Sequence, residues 1–438
     1  MSEEDPRRPN RTRTSSRRRL RTRPGGRPSE RRRTALIAGA LRLATRSPLA
    51  AGLVAAVSLV TPAAARARQD APRDTTARPA AGALLSSELE TMSRPAPPFP
   101  DPGMNTSGTV WIDSDPLTWE KLRGKVVLID FMEYTCINCI RTFDDNLRLW
   151  RRYQDRGFEI IGVHAPEFKV AYDVDNVRRA VHRFGLPYPV VVDDWFSIWK
   201  AYGSHTWPNR FLVDATGTIR YHKSGEGADA ALERAIRKLL REAHPDVTFP
   251  DSMDIPPPRD AFADSCGRTS PEVYVGMWHG RGALANEEWY RPGKVTDYDL
   301  PGGLSDGAVG LRGPWETDTN GMIYRGTQAV GSARPDQLTL VYTARELYSV
   351  TNVAHGGEPE RVYLSQDGHW LGKGEAGVDV RFDQQGRSYL YVDEPRMYYL
   401  VSNPAMGQHV VNLLPTTPGL MVNSFTFGND CQTDFSHR

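Results

Sequence analysis

The sequence predicts an α/β domain followed by an all-β sandwich of the jelly-roll kind, and three observations carry that prediction. An apolar run, Val126 to Phe131, leads through a short turn into Cys136-Ile137-Asn138-Cys139 and a helical pattern from Ile140. Strand-like and helix-like runs then alternate as far as Ala243. Beyond residue 268, short alternating runs bounded by Gly, Pro and Asp recur without a long helical period.

The two cysteines organise the first domain. A strand-to-helix turn places Cys136 at a helix N-terminus, where unpaired N–H groups and the macrodipole favour a thiolate. Cys136 is therefore the expected nucleophile, and Cys139, one turn further in, can reach its sulfur and close a disulfide. Such a dithiol accepts or donates two electrons. The competing readings are half of a zinc site and a pair of inert buried thiols. Zinc needs two more ligands at comparable spacing, and the other cysteines, Cys266 and Cys431, are distant in sequence. No metal and no cofactor is expected. A c-type haem is excluded because Ile140 stands where its histidine ligand would follow.

The chain has 438 residues, room for two or three domains, and its net charge of +2 conceals an asymmetry. Residues 1–67 carry sixteen arginines against four carboxylates, so the remainder stands near −10. An acidic body argues against a nucleic-acid partner. The basic stretch precedes the apolar run Leu49 to Val60 and then Ala65-Arg66-Ala67, the pattern of a signal peptide ending in a small-x-small cleavage site. Arg31-Arg32-Arg33 raises a twin-arginine signal, but the apolar context that should follow is missing. The alternative is an uncleaved anchor across Ala35 to Val60. Either way the body is expected outside the cytoplasm, periplasmic, in the cell envelope or secreted, where disulfides persist.

Residues 68–100 read as a linker or an early helix, with a short apolar stretch at Leu84 to Met92. Trp111 to Asp113 reads as a strand and Leu117 to Leu122 as a brief helix. Asp130 interrupts the apolar strand, and a buried carboxylate there is costly unless it is solvated or protonated. Its place six residues before Cys136 suits it to take the proton of Cys139 as a mixed disulfide resolves. The plainer alternative is a strand-end acid in contact with water.

Phe158 to Val163 is a second strand, and His164 at its end reads as a hydrogen-bonded structural histidine rather than a base. Asp175 to Phe184 is an amphipathic helix, Val190 to Val192 a strand and Ile198 to Tyr202 a short helix. Pro208 opens the strand Asn209 to Val213 and is a site for a cis bond. Asp214-Ala215-Thr216-Gly217 turns the chain into Thr218 to His222, and Ala230 to Ala243 closes the unit as an amphipathic helix.

Over residues 101–246 this pattern resembles the exported branch of the thioredoxin superfamily, in Val127 to Phe131 running up to the dithiol, Thr206-Trp207-Pro208 and the Asp214 turn. The resemblance implies that Cys136 attacks, Cys139 resolves and Asp130 serves the proton transfer. It also implies that Pro208 is cis and faces the disulfide, with Trp207 offering backbone groups to an extended substrate. Thr206 and Tyr134 flank that groove as further candidate substrate contacts. Two positions depart from the pattern: Asp144 replaces a kink-forming proline, and Met132 replaces a tryptophan. A fuller resemblance, to the soluble part of DipZ proteins, rests on Tyr134 to Thr142, Gly377 to Val380, Glu394 to Val401 and Phe425 to Gly428. The multi-span electron-delivering part of those proteins has no counterpart in this sequence, which implies a separate membrane or soluble electron donor.

Residues 247–268 are a proline-rich spacer, 269–431 the jelly-roll domain and 432–438 a tail. Eight strands are expected: Val273 to Met277, Leu338 to Tyr342, Glu346 to Val350, Arg361 to Leu364, Arg387 to Val392, Met397 to Val401, His409 to Leu414 and Met421 to Phe427. Cys266 and Cys431 bracket them, and a disulfide between them would restrain the unfolded chain by about 5 kcal/mol. The alternative is two free thiols. Jelly rolls of this sort resemble carbohydrate-binding modules, and Trp278, Trp289, Tyr290, Trp315 and Trp370 are aromatic candidates for stacking on a sugar, although strand aromatics are more often core.

The leading functional expectation is an exported thiol–disulfide oxidoreductase, more a reductant than an oxidant, acting on exported disulfide-bearing proteins. The alternatives are a protein binding cell-wall polysaccharide with a regulatory dithiol, and a thiol peroxidase. The peroxidase reading is disfavoured because Glu133 stands three residues before Cys136, where a peroxidatic site carries threonine.

Overall fold

The computed structural model describes residues 90–100, 109–253, 267–277, 283–354 and 358–429. The leader, residues 68–89, Pro256 to Pro258, Cys266, Trp278 and Cys431 lie outside them, and with them the expected export signal and the Cys266–Cys431 disulfide. Among the described residues no helix is long and apolar enough to cross a membrane.

The α/β part is built around β3 (Val126–Met132), whose seven residues are all buried. A strand covered on both faces needs a continuous apolar run rather than alternation, and Val-Val-Leu-Ile supplies it. Its neighbours are β4 (Phe158–His164), which runs parallel, and β6 (Asn209–Val213), which runs antiparallel. β5 (Val190–Asp193) and β2 (Thr109–Ile112) extend the sheet on the β4 side. β7 (Thr218–Ser224) and β1 (Glu90–Pro95) extend it beyond β6.

Alternate residues of β3 feed two cores. Val126 and Leu128 pack with Phe143 and Leu147 of α1 (Ile137–Tyr153), Val177 of α2 (Val174–Phe184) and Ile236 of α4 (Asp229–Ala243). Val127, Ile129 and Phe131 pack on the other face with Ile198 and Tyr202 of α3 (Ser197–Tyr202). With Asp144 in place of a proline, α1 runs unbroken for 17 residues.

Two local expectations are corrected. Part of the segment read as linker and helix is the edge strand β1, which pairs with β7 through Glu90–His222 and Pro95–Thr218. Leu117 to Leu122 forms turns rather than a helix, with Pro116 just before it.

The second part is all antiparallel. Among the described residues its eleven strands are β8 (Val273–Tyr274), β9 (Val295–Tyr298), β10 (Val309–Thr317), β11 (Met322–Tyr324), β12 (Gln337–Val353), β13 (Glu360–Gln366), β14 (His369–Trp370), β15 (Arg381–Phe382), β16 (Ser388–Val392), β17 (Arg396–Leu414) and β18 (Leu420–Gly428). The long strands β12 and β17 pair along most of their length. The first part of β12 also pairs with β10 and its second part with β18, so the run β12, β10, β11, β18 closes back on β12. Trp315, Tyr324, Tyr342, Leu347, Tyr398 and Phe425 belong to one buried core.

Of the expected sugar-stacking aromatics, Trp315 and Tyr290 are core residues, Trp370 is half-buried and Trp289 is 48% exposed. The half-buried rings on β16 are covered: Arg361 sits 5.0 Å from the Tyr389 centroid and Arg381 5.4 Å from that of Tyr391. A guanidinium on a ring face occupies the surface a sugar would stack on.

Candidate functional site: a dithiol at a domain seam

β3 ends at Met132, and four residues later Cys136 caps α1 in an extended conformation, with Cys139 and Ile140 N–H groups both bonded to its carbonyl. Cys136 keeps part of its surface open, whereas Cys139 is fully enclosed. Both are free thiols. The Trp207–Pro208 bond is cis, and the Cys136 Sγ lies 4.0 Å from the Trp207 carbonyl oxygen. The structure thus brings Cys136, Cys139, Trp207 and Pro208 to one place. Thr206 is exposed and shares a 2.9 Å hydrogen bond with Ser224. Tyr134 is corrected as a surface contact: it is 2% exposed and stacks at 5.6 Å on His164. The apolar ring is covered by the residues following β4, which its sequence neighbours do not reveal.

Asp130 is fully buried, and Asn146 of α1 donates to its Oδ2 at 2.8 Å. Burial pushes its carboxyl up to about 6, against the pull of Arg210 beside it on β6. Arg210 is itself buried and salt-bridged to Asp229 at 2.5 Å. The strand-end acid in contact with water is therefore not what forms. Cys139 is held well above the ordinary thiol range, first by burial and then by the neighbouring sulfur, with Asp130 adding to it. Asp130 is thus an enclosed carboxyl whose charge is felt at Cys139.

The acidic Cys136 expected from the helix N-terminus is also corrected. A hydrogen bond from Cys139 favours its thiolate, but burial and the carboxyls of Glu167 and Glu133 outweigh that, and the thiol lies above its usual value. The helix-terminus effect is real and short-ranged, and here anionic side chains occupy the same space.

Glu133 is fully buried and accepts from both the N–H and the hydroxyl of Thr135, which shapes the turn into Cys136. His164 is enclosed beside it, with Nε2 3.6 Å from Glu133 Oε1 and neither ring nitrogen hydrogen-bonded, unlike the bonded structural histidine expected. Arg210, Asn146, Glu133 and Glu167 are the residues that the sequence reading missed. A charge inside an apolar strand, as at Arg210, was the available signal.

Ile137, between the cysteines, is 5% exposed because the β-rich part covers it: it clusters with Phe168, Tyr348, Val350, Met397 and Tyr399. Tyr348 and Tyr399 stack at 4.5 Å, and both hydroxyls donate to Glu346, at 3.1 and 2.9 Å. Glu346 in turn lies 4.0 Å from Arg141 of α1, whose other nitrogen is 3.5 Å from Glu226. Gly377 lets its backbone approach β17 where a Cβ would come within 2.2 Å of the Tyr399 carbonyl oxygen. Asp379 then accepts from the Tyr399 N–H at 2.8 Å, so the glycine and aspartate hold the strand that covers Ile137. Truncating Ile137 to alanine is expected to cost about 2–4 kcal/mol, read as a lowered urea midpoint.

No group of histidine, cysteine and carboxylate side chains suited to a metal ion is present among the described residues.

Residues 270–428 match the family described as Thioredoxin like C-terminal domain, and residues 94–222 match the AhpC/TSA family. Protein DipZ of Mycobacterium bovis is 29% identical over 336 residues, which cover 73% of this chain and 42% of that protein. This chain therefore spans about two fifths of the length of that relative. Thiol-disulfide oxidoreductase ResA of Halalkalibacterium halodurans is 28% identical over 132 residues, 30% of this chain and 72% of that one. A solved structure of a putative thiol:disulfide interchange protein DsbE from Chlorobium tepidum is 18% identical, covering 36% of this chain and 99% of that one with a TM-score of 0.29.

Proposed function

We propose that the chain is a thioredoxin-like thiol–disulfide oxidoreductase that works outside the cytoplasm as a reductant of disulfide-bearing proteins, a reading supported by its family matches and by its similarity to DipZ and ResA. The observation that carries this reading is the unequal pair of thiols: Cys136 is open at a helix start beside the Trp207 carbonyl, and Cys139 is sealed behind it.

The Cys136 thiolate attacks one sulfur of a substrate disulfide, an S–S bond forms to the enzyme, and the substrate's other sulfur leaves as a thiolate that takes a proton. Cys139 then passes its proton to the Asp130 carboxylate and attacks Cys136, so the second substrate thiol is released and the enzyme holds the disulfide. A separate thiol donor returns the two electrons. The charges around Cys136 support this direction. Strongly oxidising pairs owe their potential to a stabilised thiolate in the reduced form, and here Glu167 and Glu133 oppose that stabilisation.

Export is supported by the leader pattern of residues 1–67. Polysaccharide binding by the β-rich part is a weaker second reading, because guanidinium groups cover two of its half-buried tyrosines. The match to the AhpC/TSA family makes peroxide the competing substrate to test. With excess thiol donor, the full chain is expected to reduce an insulin-type disulfide at a rate proportional to enzyme, and to consume hydrogen peroxide no faster than free cysteine does. Peroxide turnover exceeding disulfide turnover would overturn the proposal.

A further inference from the structure

Tyr274 of β8 stands between two carboxyl groups at the seam. Its hydroxyl lies 2.5 Å from Glu167 Oε1, in the loop after β4, and 3.2 Å from Glu272 Oε2. The other oxygen of Glu272 accepts from the Thr426 hydroxyl of β18 at 3.0 Å. A phenol has one proton and can donate it to only one carboxyl. The second contact is favourable only when that carboxyl carries a proton of its own and donates it back to the phenol oxygen.

The surroundings enforce this sharing. Burial first, then the charge of Glu272 and of Glu133, push the half-buried Glu167 up to about 8, and the Glu272 carboxyl is raised in the same direction, although its residue is exposed at the rim of the seam. The other groups facing this pocket are Glu133, in the turn before α1, and Cys136 itself. Of the nearby cations, Arg141 is held between Glu226 and Glu346, and Lys169 is exposed. The pocket is tied to the dithiol by packing as well: Phe168, next to Glu167, lies 6.0 Å ring to ring from Tyr274 and belongs to the cluster that covers Ile137.

We propose that the β-rich part is an electrostatic component of the thiol site: Glu272 and Tyr274 hold Glu167 in a proton-sharing pair beside Cys136, and loss of the shared proton disfavours the Cys136 thiolate. This rests on Cys136 being the exchanging thiol. Its consequence is a nucleophile that gains thiolate less steeply with rising pH than an isolated cysteine, because each increment of pH also adds negative charge next to it. Glu167 and Glu272 act as positioning residues, through charge, and Glu272 reaches the thiol from the domain that carries no cysteine among its described residues.

The test is the pH dependence of Cys136 alkylation in the reduced full-length protein, followed by mass spectrometry of the modified peptide. Glu167→Gln and Glu272→Gln are each expected to move the midpoint to lower pH and to speed alkylation about threefold at a fixed pH below it. Glu287→Gln, an exposed carboxyl site elsewhere on the β-rich part, is expected to leave the midpoint unchanged. If both interface variants keep the wild-type circular dichroism and the wild-type midpoint, the inference is overturned. A second readout avoids substitution in the protein being measured. Wild type should show a carboxylic-acid carbonyl stretch in the infrared at pH 7 that disappears above pH 8, and its absence at pH 7 overturns the inference. Shifted midpoints in a protein that exchanges no disulfides would uphold this inference and defeat the proposed activity.

Discussion

Serine at position 136 is expected to abolish disulfide exchange, a loss of roughly a thousandfold or more, because a hydroxyl at neutral pH supplies almost no anion and forms no disulfide with the substrate. Helix α1 starts at this residue, and serine is itself a favoured N-cap, so the fold should survive. Serine at position 139 has a different expected outcome. Cys136 still attacks, but the enclosed second sulfur that should release the substrate is gone, and the protein accumulates as a mixed disulfide. Intact-mass measurement under non-reducing conditions distinguishes the two: the Cys136→Ser protein carries no adduct and the Cys139→Ser protein carries one substrate chain. An equal loss of activity with adducts on neither would mean that these sulfurs are not the reacting pair.

Asp130→Asn is expected to act in two directions at once. Turnover should fall by about a hundredfold at the resolution step, because the enclosed proton acceptor for Cys139 is removed. Stability at neutral pH should rise. The carboxyl titrates at about 6 in the folded protein against an ordinary value of 3.8, so the native state binds its proton more tightly than the unfolded chain. That contribution is fully present below the unfolded value and is lost as pH climbs through the folded one. At pH 7 the wild type bears the cost of a buried charge, and the asparagine variant is spared about 3 kcal/mol, less what its altered bond to Asn146 forfeits. Urea melts at pH 4 and pH 7 check this: the variant's advantage should be small at the lower pH and large at the higher. A variant less stable than wild type at pH 7 would contradict the assignment of Asp130 as a buried, reluctantly charged group.

Much of the α/β part was legible because its signals are local. β3 is a continuous apolar run, α2 begins at Asp173, whose side chain accepts from the Asp175 N–H at 2.9 Å, and Pro208 opens its strand in the cis form. The β-rich part was less legible where strand residues imitate turn residues. β10, which contains the turn-forming residue types Gly310, Gly313 and Pro314, is absent from the expected strands, yet its backbone pairs with β9, β11 and β12. Each of the long strands β12 and β17 was read as two, because register shifts fall at Ala344–Glu346 and at Leu347–Tyr348 and small and polar residues interrupt the apolar pattern.

The dithiol, Asp130 and the cis-proline carry their own sequence signature. The carboxyls that push Cys136 upward do not. Glu167 meets Tyr274 across 107 positions of chain, and Ile137 is covered by strands more than 200 residues further along. Contacts of that range leave no periodic trace in a single sequence, so the expected acidity of Cys136 followed from its helix position alone and missed what faces it.

The most direct test of the account is an equilibrium redox titration of the full chain against a dithiol–disulfide buffer, scored by the mass of the peptide spanning Cys136 and Cys139. The account predicts one cooperative two-electron transition between dithiol and internal disulfide, at a potential below about −230 mV, where a thiol pair acts as a reductant. Single-cysteine adducts without an internal disulfide, or no transition across the accessible range, would contradict it.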